Sequence, residues 1–402
     1  MKPQFYRKVL NNGMTVIFEK RELPVVSVAF AVRMGALNET EEEKGLSHFI
    51  EHMLYKGTPT RNAKKIAEEI EKNGGELNGF TSENITAYWC KMPSRHLNVA
   101  LNVLSDIMKN SLFDEKELEK ERKVIFEEIK MYRDNPRLHV FDEIKEIMYE
   151  KPFGMKISGT FETMAGIDRK RLIRKFKEIY RAGKMVLAVV GQADFSELCE
   201  FCEKYFPKAD GSIPIPAIKL RRGQKIEKRK GIDQANLIFS YHSPLAGDKL
   251  TYAAEVLIAL MAGGMSSRLF SEIREKRNLA YAVKGSLDSA KDYSYSQIYV
   301  GTNKENVEKV KELILKEFSN VAETLDNKEF ESIKEQLIGQ YQISMEDSQT
   351  QMVNLLMDEM DGNAKKFYEY EEKIKGVKLE DVKKLAGKVA KGDYCFFALV
   401  PE

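Results

Sequence analysis

The sequence predicts a mixed α and β protein built from two similar halves of about 200 residues each. Short apolar runs of strand length alternate with stretches of helical period along the whole chain. The order of strands and helices in the first half is broadly repeated in the second, which points to internal duplication. Between the halves, 207–223 gathers Pro, Gly and basic residues, the composition of a connection. The expected division is an N-terminal domain over 1–208, a linker over 209–223 and a C-terminal domain over 224–402.

Composition narrows the function classes. Hydrophobic residues make up 43% and charged residues 31% of 402, a globular balance that excludes a disordered chain. The 64 basic and 62 acidic residues nearly cancel, which argues against a nucleic-acid or membrane-surface partner. No apolar run reaches the ~20 residues of a membrane span, and no signal-like apolar core follows the first residues, so a cytoplasmic location is expected. Of four cysteines, Cys90 and Cys395 fall in strand-like runs, and Cys199 and Cys202 lie one turn apart on a helical pattern, where they read as core.

In order, 14–18 and 26–33 read as strands, the first after an Asn-Asn-Gly turn. A polar connection over 35–45 leads to a helix over 45–56, closed by Gly57-Thr-Pro. A helix over 63–72 stops at Asn73-Gly-Gly, and a Gly-containing turn precedes a strand over 85–92. Amphipathic helices follow over 95–109 and 115–132, the second broken at Asp134-Asn-Pro, and another helix over 138–149. A helix near 168–181, a strand over 185–190 and the Cys-x-x-Cys helix close the first half. The second half reads strand 235–241, helix 249–261, a short helix carrying Arg268 and Arg274, strands near 281–287 and 294–301, broken helices over 305–390 and a last strand over 394–400.

The 45–56 helix carries the chemistry. His48, Glu51 and His52 sit at i, i+3 and i+4 and share one face. Two imidazoles one turn apart are good zinc ligands, and a carboxylate beside them can take a proton from a water that the ion activates. The order His-x-x-Glu-His inverts the commoner zinc-protease pattern. With five His in the chain, two beside a Glu on one face are rarely an accident of a solvated helix.

A catalytic zinc takes a third protein ligand, and no other His pairs up. On the 115–132 helix, Glu121 and Glu128 are two turns apart with Ile125 between them, whereas Glu127 falls among Lys120, Lys123 and Lys130. Glu128 is the better ligand, and Glu121 is a supporting carboxylate or an alternate ligand.

The chain resembles the pitrilysin/insulinase superfamily of zinc peptidases, and within it the short processing-peptidase branch. The likeness rests on His48-Phe-Ile-Glu-His52 with Met-Leu-Tyr-Lys-Gly-Thr behind it, and on Glu121-Arg-Lys-Val-Ile-Phe-Glu-Glu128, 76 residues beyond His52. It extends to Asn78-Gly-Phe-Thr-Ser-Glu-Asn-Ile-Thr-Ala-Tyr and to 267–281. One departure is Gly79, where relatives often have Ala.

The resemblance implies an α+β fold of two homologous domains, each a mostly antiparallel sheet packed with helices, and two chains forming a clamshell. It implies a zinc endopeptidase acting on oligopeptides or unfolded, presequence-like peptides inside a closed chamber. One Zn2+ per chain would be held by His48, His52 and Glu128, with Glu51 as the general base. Asn78, Gly79 and Phe80 would line an edge strand to which substrate adds. Arg274 and Tyr281 would contact substrate near the scissile bond, the Tyr hydroxyl stabilising the oxyanion. A homodimer is implied, since this chain is half the length of the long relatives. The competing reading is a non-catalytic partner subunit, against which the intact His48, Glu51, His52 and Glu128 argue.

Overall fold

The structure, a computed structural model, describes residues 4–209 and 214–402. Two compact units each contain one sheet with its own apolar core. The first unit comprises the chain up to Lys130, then Met155–Ala217 and Ser344–Phe367. The second comprises Met131–Gly154, Ile218–Ile343 and Tyr368–Glu402.

The first sheet is built from β1 (Gln4–Val9), β2 (Thr15–Lys20), β3 (Val25–Val32), β4 (Glu76–Thr81), β5 (Thr86–Pro93) and β6 (Met185–Gly191), in the order β1-β2-β6-β3-β5-β4. Its central strands β3 and β6 are apolar runs with almost every residue buried, as strands covered on both faces require; the one polar residue, Ser27 of β3, pairs its hydroxyl with that of Ser348 at 2.9 Å. The second sheet holds β7 (Gln224–Arg229), β8 (Ala235–His242), β9 (Ala280–Ser289), β10 (Ser294–Thr302) and β11 (Cys395–Pro401), in the order β7-β11-β8-β10-β9. Each sheet has a single parallel pair, β2 with β6 and β7 with β11, and is otherwise antiparallel. The order of β7 to β11 therefore repeats that of β2 to β6 strand for strand, and the duplication is a matter of topology.

The units are not contiguous in sequence. Helix Pro136–Met148, from the first half, buries Val140, Ile144 and Met148 in the second unit, on the sheet that contains β8 and β11. Helix Ser348–Met360, from the second half, buries Met352, Leu355, Leu356 and Met360 in the first unit, against β3 and β6. An amphipathic face requires an apolar partner but does not name it. Within the expected 209–223 linker, 210–213 lie outside the described residues. The remainder is tied down: the Asn38 side-chain amide donates to Pro214 O at 3.2 Å in the first unit, and Arg221 N–H donates to Met148 O at 2.7 Å in the second.

Three strands escape an apolar-period reading. β1 (QFYRKV) and β7 (QKIEKR) are mostly exposed edge strands, and β4 is half-exposed at the far edge of its sheet. Ladder hydrogen bonds hold them, so their side chains carry little pattern. The short helix around Arg274 is a π-helical turn, Phe270–Glu275.

Candidate metal centre

The motif helix, Leu46–Leu54, buries Leu46, Phe49, Ile50, Met53 and Leu54 and leaves His48, Glu51 and His52 on its less buried side. Its start is prepared by the preceding polar connection. The buried carboxylate of Glu39 accepts from Gly45 N–H at 3.1 Å and Ser47 N–H at 2.6 Å, satisfying donors that a helix N-terminus leaves open. Burial pushes the Glu39 carboxyl up, and the charge of Lys44 opposes it. Lys44 is itself fully buried, its Nζ donating to Ala36 O at 2.6 Å. Gly45 turns the chain with φ +92°, and a Cβ there would meet Met164 Sδ at 2.5 Å. Glu39 and Lys44 lie in what the sequence shows only as a polar connection. The available signal was a carboxylate a few residues before a helix start.

The helix Glu115–Asp134 lies against this one, burying Leu118, Glu121, Ile125 and Ile129. Glu128 Oε2 is 3.6 Å from His48 Nε2 and 3.6 Å from His52 Nε2, and the two imidazole nitrogens are 3.3 Å apart. A point equidistant from these three atoms lies about 2.0 Å from each, the length of a Zn–N or Zn–O bond. Two imidazoles and one carboxylate also form a donor set that suits zinc. Glu127 instead points outward, 72% exposed, and pairs with Lys130 at 2.7 Å.

Around the triangle, the His52 ring is oriented by Glu121, whose Oε2 is 3.1 Å from Nδ1 while its Oε1 is 2.7 Å from Lys56 Nζ. That bond leaves Nε2 facing His48 and Glu128. Burial, then the neighbouring His52, pulls the His48 imidazole down to about 3, so the ring is neutral at neutral pH and one of its nitrogens carries a free lone pair. For His52 burial acts the same way, but the Glu121 hydrogen bond and the charges of Glu128 and Glu51 outweigh it and raise the ring. Burial raises the Glu51 carboxyl as well. Thr81, on β4, donates to Glu51 Oε2 at 3.0 Å, so the edge strand and the motif helix are tied through this carboxylate.

Asn78, Gly79 and Phe80 lie on β4, which among the described residues pairs only with β5 and leaves its outer edge open. Gly79 N–H donates to Asn78 Oδ1 at 2.8 Å. The glycine has a steric cause, because a Cβ there would stand 2.4 Å from the Tyr55 hydroxyl. Arg274 and Tyr281 belong to the second unit. The Arg274 guanidinium sits over the Phe270 ring at 4.7 Å. Tyr281 is 49% exposed, and its hydroxyl is 3.3 Å from that of Tyr299, which in turn donates to Asn236 Oδ1 at 2.6 Å. His139, unpaired in the sequence reading, has a partner: its Nε2 is 3.2 Å from Glu227 Oε2, with Glu143 nearby. Lys225 and Arg229 already neutralise those two carboxylates, at 2.8 and 3.0 Å.

Comparison with known proteins gives the family. The model of the family described as "Insulinase (Peptidase family M16)" matches residues 15–160, which include His48, Glu51, His52 and Glu128. "Peptidase M16 inactive domain" matches 166–337. A relative from Bacillus subtilis named "Uncharacterized zinc protease YmxG" is 33% identical over 402 residues, 98% of each chain. The chain belongs to the peptidase M16 family. A second relative, an "Uncharacterized zinc protease" of Rickettsia felis, is 33% identical over 343 residues, 84% of this chain and 83% of its own. Among solved structures, a protease from Helicobacter pylori superposes with TM-score 0.92 at 21% identity, covering 99% of this chain and all of its own. A "peptidase M16 inactive domain" from Pseudomonas fluorescens gives 0.89 at 18%, covering 99% and 98%. The M16 assignment fits the two halves: four of the five histidines lie in the first, and the second has only His242. Among the described residues no helix is long and apolar enough to cross a membrane.

Proposed function

We propose that this M16 chain is a zinc-dependent endopeptidase that hydrolyses oligopeptides or unfolded, presequence-like peptides. The observation that carries the reading is the triangle of His48 Nε2, His52 Nε2 and Glu128 Oε2, sized for one zinc ion, with Glu51 one turn along the same helix. A zinc held there would acidify a coordinated water and polarise a peptide carbonyl. Glu51 accepts the proton and later passes it to the leaving amine; burial, which raises its carboxyl, suits it to both halves of that transfer. Thr81 fixes one of its oxygens, Oε2. The open edge of β4 takes an extended peptide as an added strand, held through backbone groups and therefore tolerant of sequence. Gly79 N–H, held by the Asn78 side chain, is the donor that the peptide would compete for.

Arg274 and Tyr281 complete the reading by contacting a substrate carbonyl and the developing oxyanion. In our proposal they come from a second copy of the chain, the two copies closing a chamber that admits only flexible peptides. A cytoplasmic setting fits the four buried, unpaired cysteines.

The test is cleavage of a quenched fluorogenic peptide library by purified protein, with products mapped by mass spectrometry. Cleavage is expected to vanish with a chelator and return with zinc. Glu51→Gln should keep its zinc and lose most turnover, because an amide cannot accept the proton. Near-normal cleavage by Glu51→Gln, or no cleavage by the zinc-loaded protein across the library, overturns the proposal.

A further inference from the structure

Two independent observations meet beside Glu51. Tyr55 caps the motif helix, and its ring leans on Tyr88 with centroids 5.8 Å apart. Its hydroxyl is fully buried and has no hydrogen-bond partner among the described residues. The adjacent phenols differ: Tyr88 and Tyr180 bond one another at 2.7 Å. A buried phenol ordinarily finds a partner, so an orphaned one beside a proposed proton acceptor needs an explanation.

The second observation comes from the neighbouring strand. A Cβ at Gly79 would stand 2.4 Å from the Tyr55 hydroxyl, 3.0 Å from Ala87 O and 3.2 Å from Glu51 Oε1. The hydroxyl and Oε1 thus face one small space over Gly79, separated by no more than the two distances combined, about 5.6 Å. Thr81 already holds the other carboxylate oxygen, Oε2.

We propose that Tyr55 is a positioning residue for Glu51, its hydroxyl donating a hydrogen bond to Oε1 from a seat that exists because residue 79 has no side chain. The bond proposed requires the hydroxyl and Oε1 to approach to about 2.7 Å, the usual O–H···O distance. Thr81 and Tyr55 then hold one oxygen each, and the carboxylate is fixed in plane and direction. Burial, then the charge of Glu51, pushes the phenol well above its ordinary value, so the hydroxyl keeps its proton and meets the carboxylate as a donor. The inference rests on the reading of Glu51 as proton acceptor given above.

Tyr55→Phe removes the O–H and keeps the ring. In zinc-loaded protein it should lower kcat about tenfold, the low end for a hydrogen bond to a charged group. KM and zinc content should stay within about twofold of the parent, as for a contact that serves only the chemical step. Gly79→Ala should lower Tm in the parent, because its Cβ meets the hydroxyl at 2.4 Å. Adding Tyr55→Phe should restore that Tm, since the remaining neighbours of the Cβ are at 3.0 Å or beyond, while kcat stays no higher than in Tyr55→Phe alone. Unchanged kcat in Tyr55→Phe overturns the proposal, as does a loss explained by KM or zinc, or a double variant with parental kcat. Glu51→Gln, measured alongside, separates the two readings. Should Glu51→Gln still cleave, the role of Glu51 fails and this inference falls with it. If Glu51→Gln is dead while Tyr55→Phe keeps full kcat, only the Tyr55 proposal is overturned.

Discussion

Replacing Glu128 with Gln, beside matched changes at Glu121 and Glu127, tests the centre at its most exposed corner. Glu128 supplies the one anionic atom of the triangle, 3.6 Å from each imidazole nitrogen, and Gln keeps the shape but removes the charge. Glu121 touches no triangle atom; it orients the His52 ring through Nδ1 at 3.1 Å. Losing a group that only orients a ligand typically costs about 10–100-fold in metal affinity, roughly 1.4–2.8 kcal/mol. Glu121→Gln should fall in that range, and Glu128→Gln, which strikes a ligand itself, should exceed about 100-fold. Glu127→Gln removes an exposed ion pair with Lys130, worth under about 1 kcal/mol of stability, and should leave affinity unchanged. The assay is competition of each purified variant against a zinc chelator of known affinity, with metal content counted after dialysis. A Glu127 variant that loses zinc while the Glu128 variant keeps it refutes the reasoning.

Two other outcomes are expected, the first from the structure and the second from the proposed pairing of two copies. Glu359 is buried between Arg7 at 2.8 Å and Arg33 at 2.7 Å, all within the first unit. Burial alone would raise its carboxyl, but the hydrogen bonds from Arg7, Ala364 N–H and Arg33 outweigh it and hold it below the ordinary carboxylate value. A depressed carboxyl contributes stability that is complete above its unfolded value and lost as pH falls through the folded one. Thermal midpoints should therefore drop in acid, and Glu359→Gln, destabilised by about 3 kcal/mol at neutral pH, should show a flatter acid limb; parallel curves for the two proteins would count against it. The third concerns two copies. Glu51→Gln mixed with a chain carrying Arg274→Ala and Tyr281→Phe should recover peptide cleavage after subunit exchange, because one intact zinc corner would then meet one intact Arg-Tyr pair. Mixed dimers, confirmed by light scattering, that stay inactive would sink the second-copy proposal.

What the sequence by itself determined is what depends on near neighbours. Helical period placed His48, Glu51 and His52 on one face and set Glu121 and Glu128 in phase, since these relations span a turn or two. Near-continuous apolar runs marked β3 and β6, because a strand covered on both faces tolerates a polar residue such as Ser27 only where it finds a hydrogen-bond partner. The likeness of the halves was legible too, although the matching strand orders are visible only in the sheets.

Tertiary structure alone decided what depends on distant partners. Helix Pro136–Met148 and helix Ser348–Met360 each pack in the unit of the other half, because an apolar stripe demands burial without specifying where. Glu39 and Lys44 belong to a polar connection in the sequence, yet in the fold they are buried at the start of the motif helix. The distances that size the metal triangle arise from packing one helix on another, 76 residues apart between His52 and Glu128. Gly79 shows the same division: its smallness is plain in the sequence, but its cause is the Tyr55 hydroxyl, which only folding brings against it.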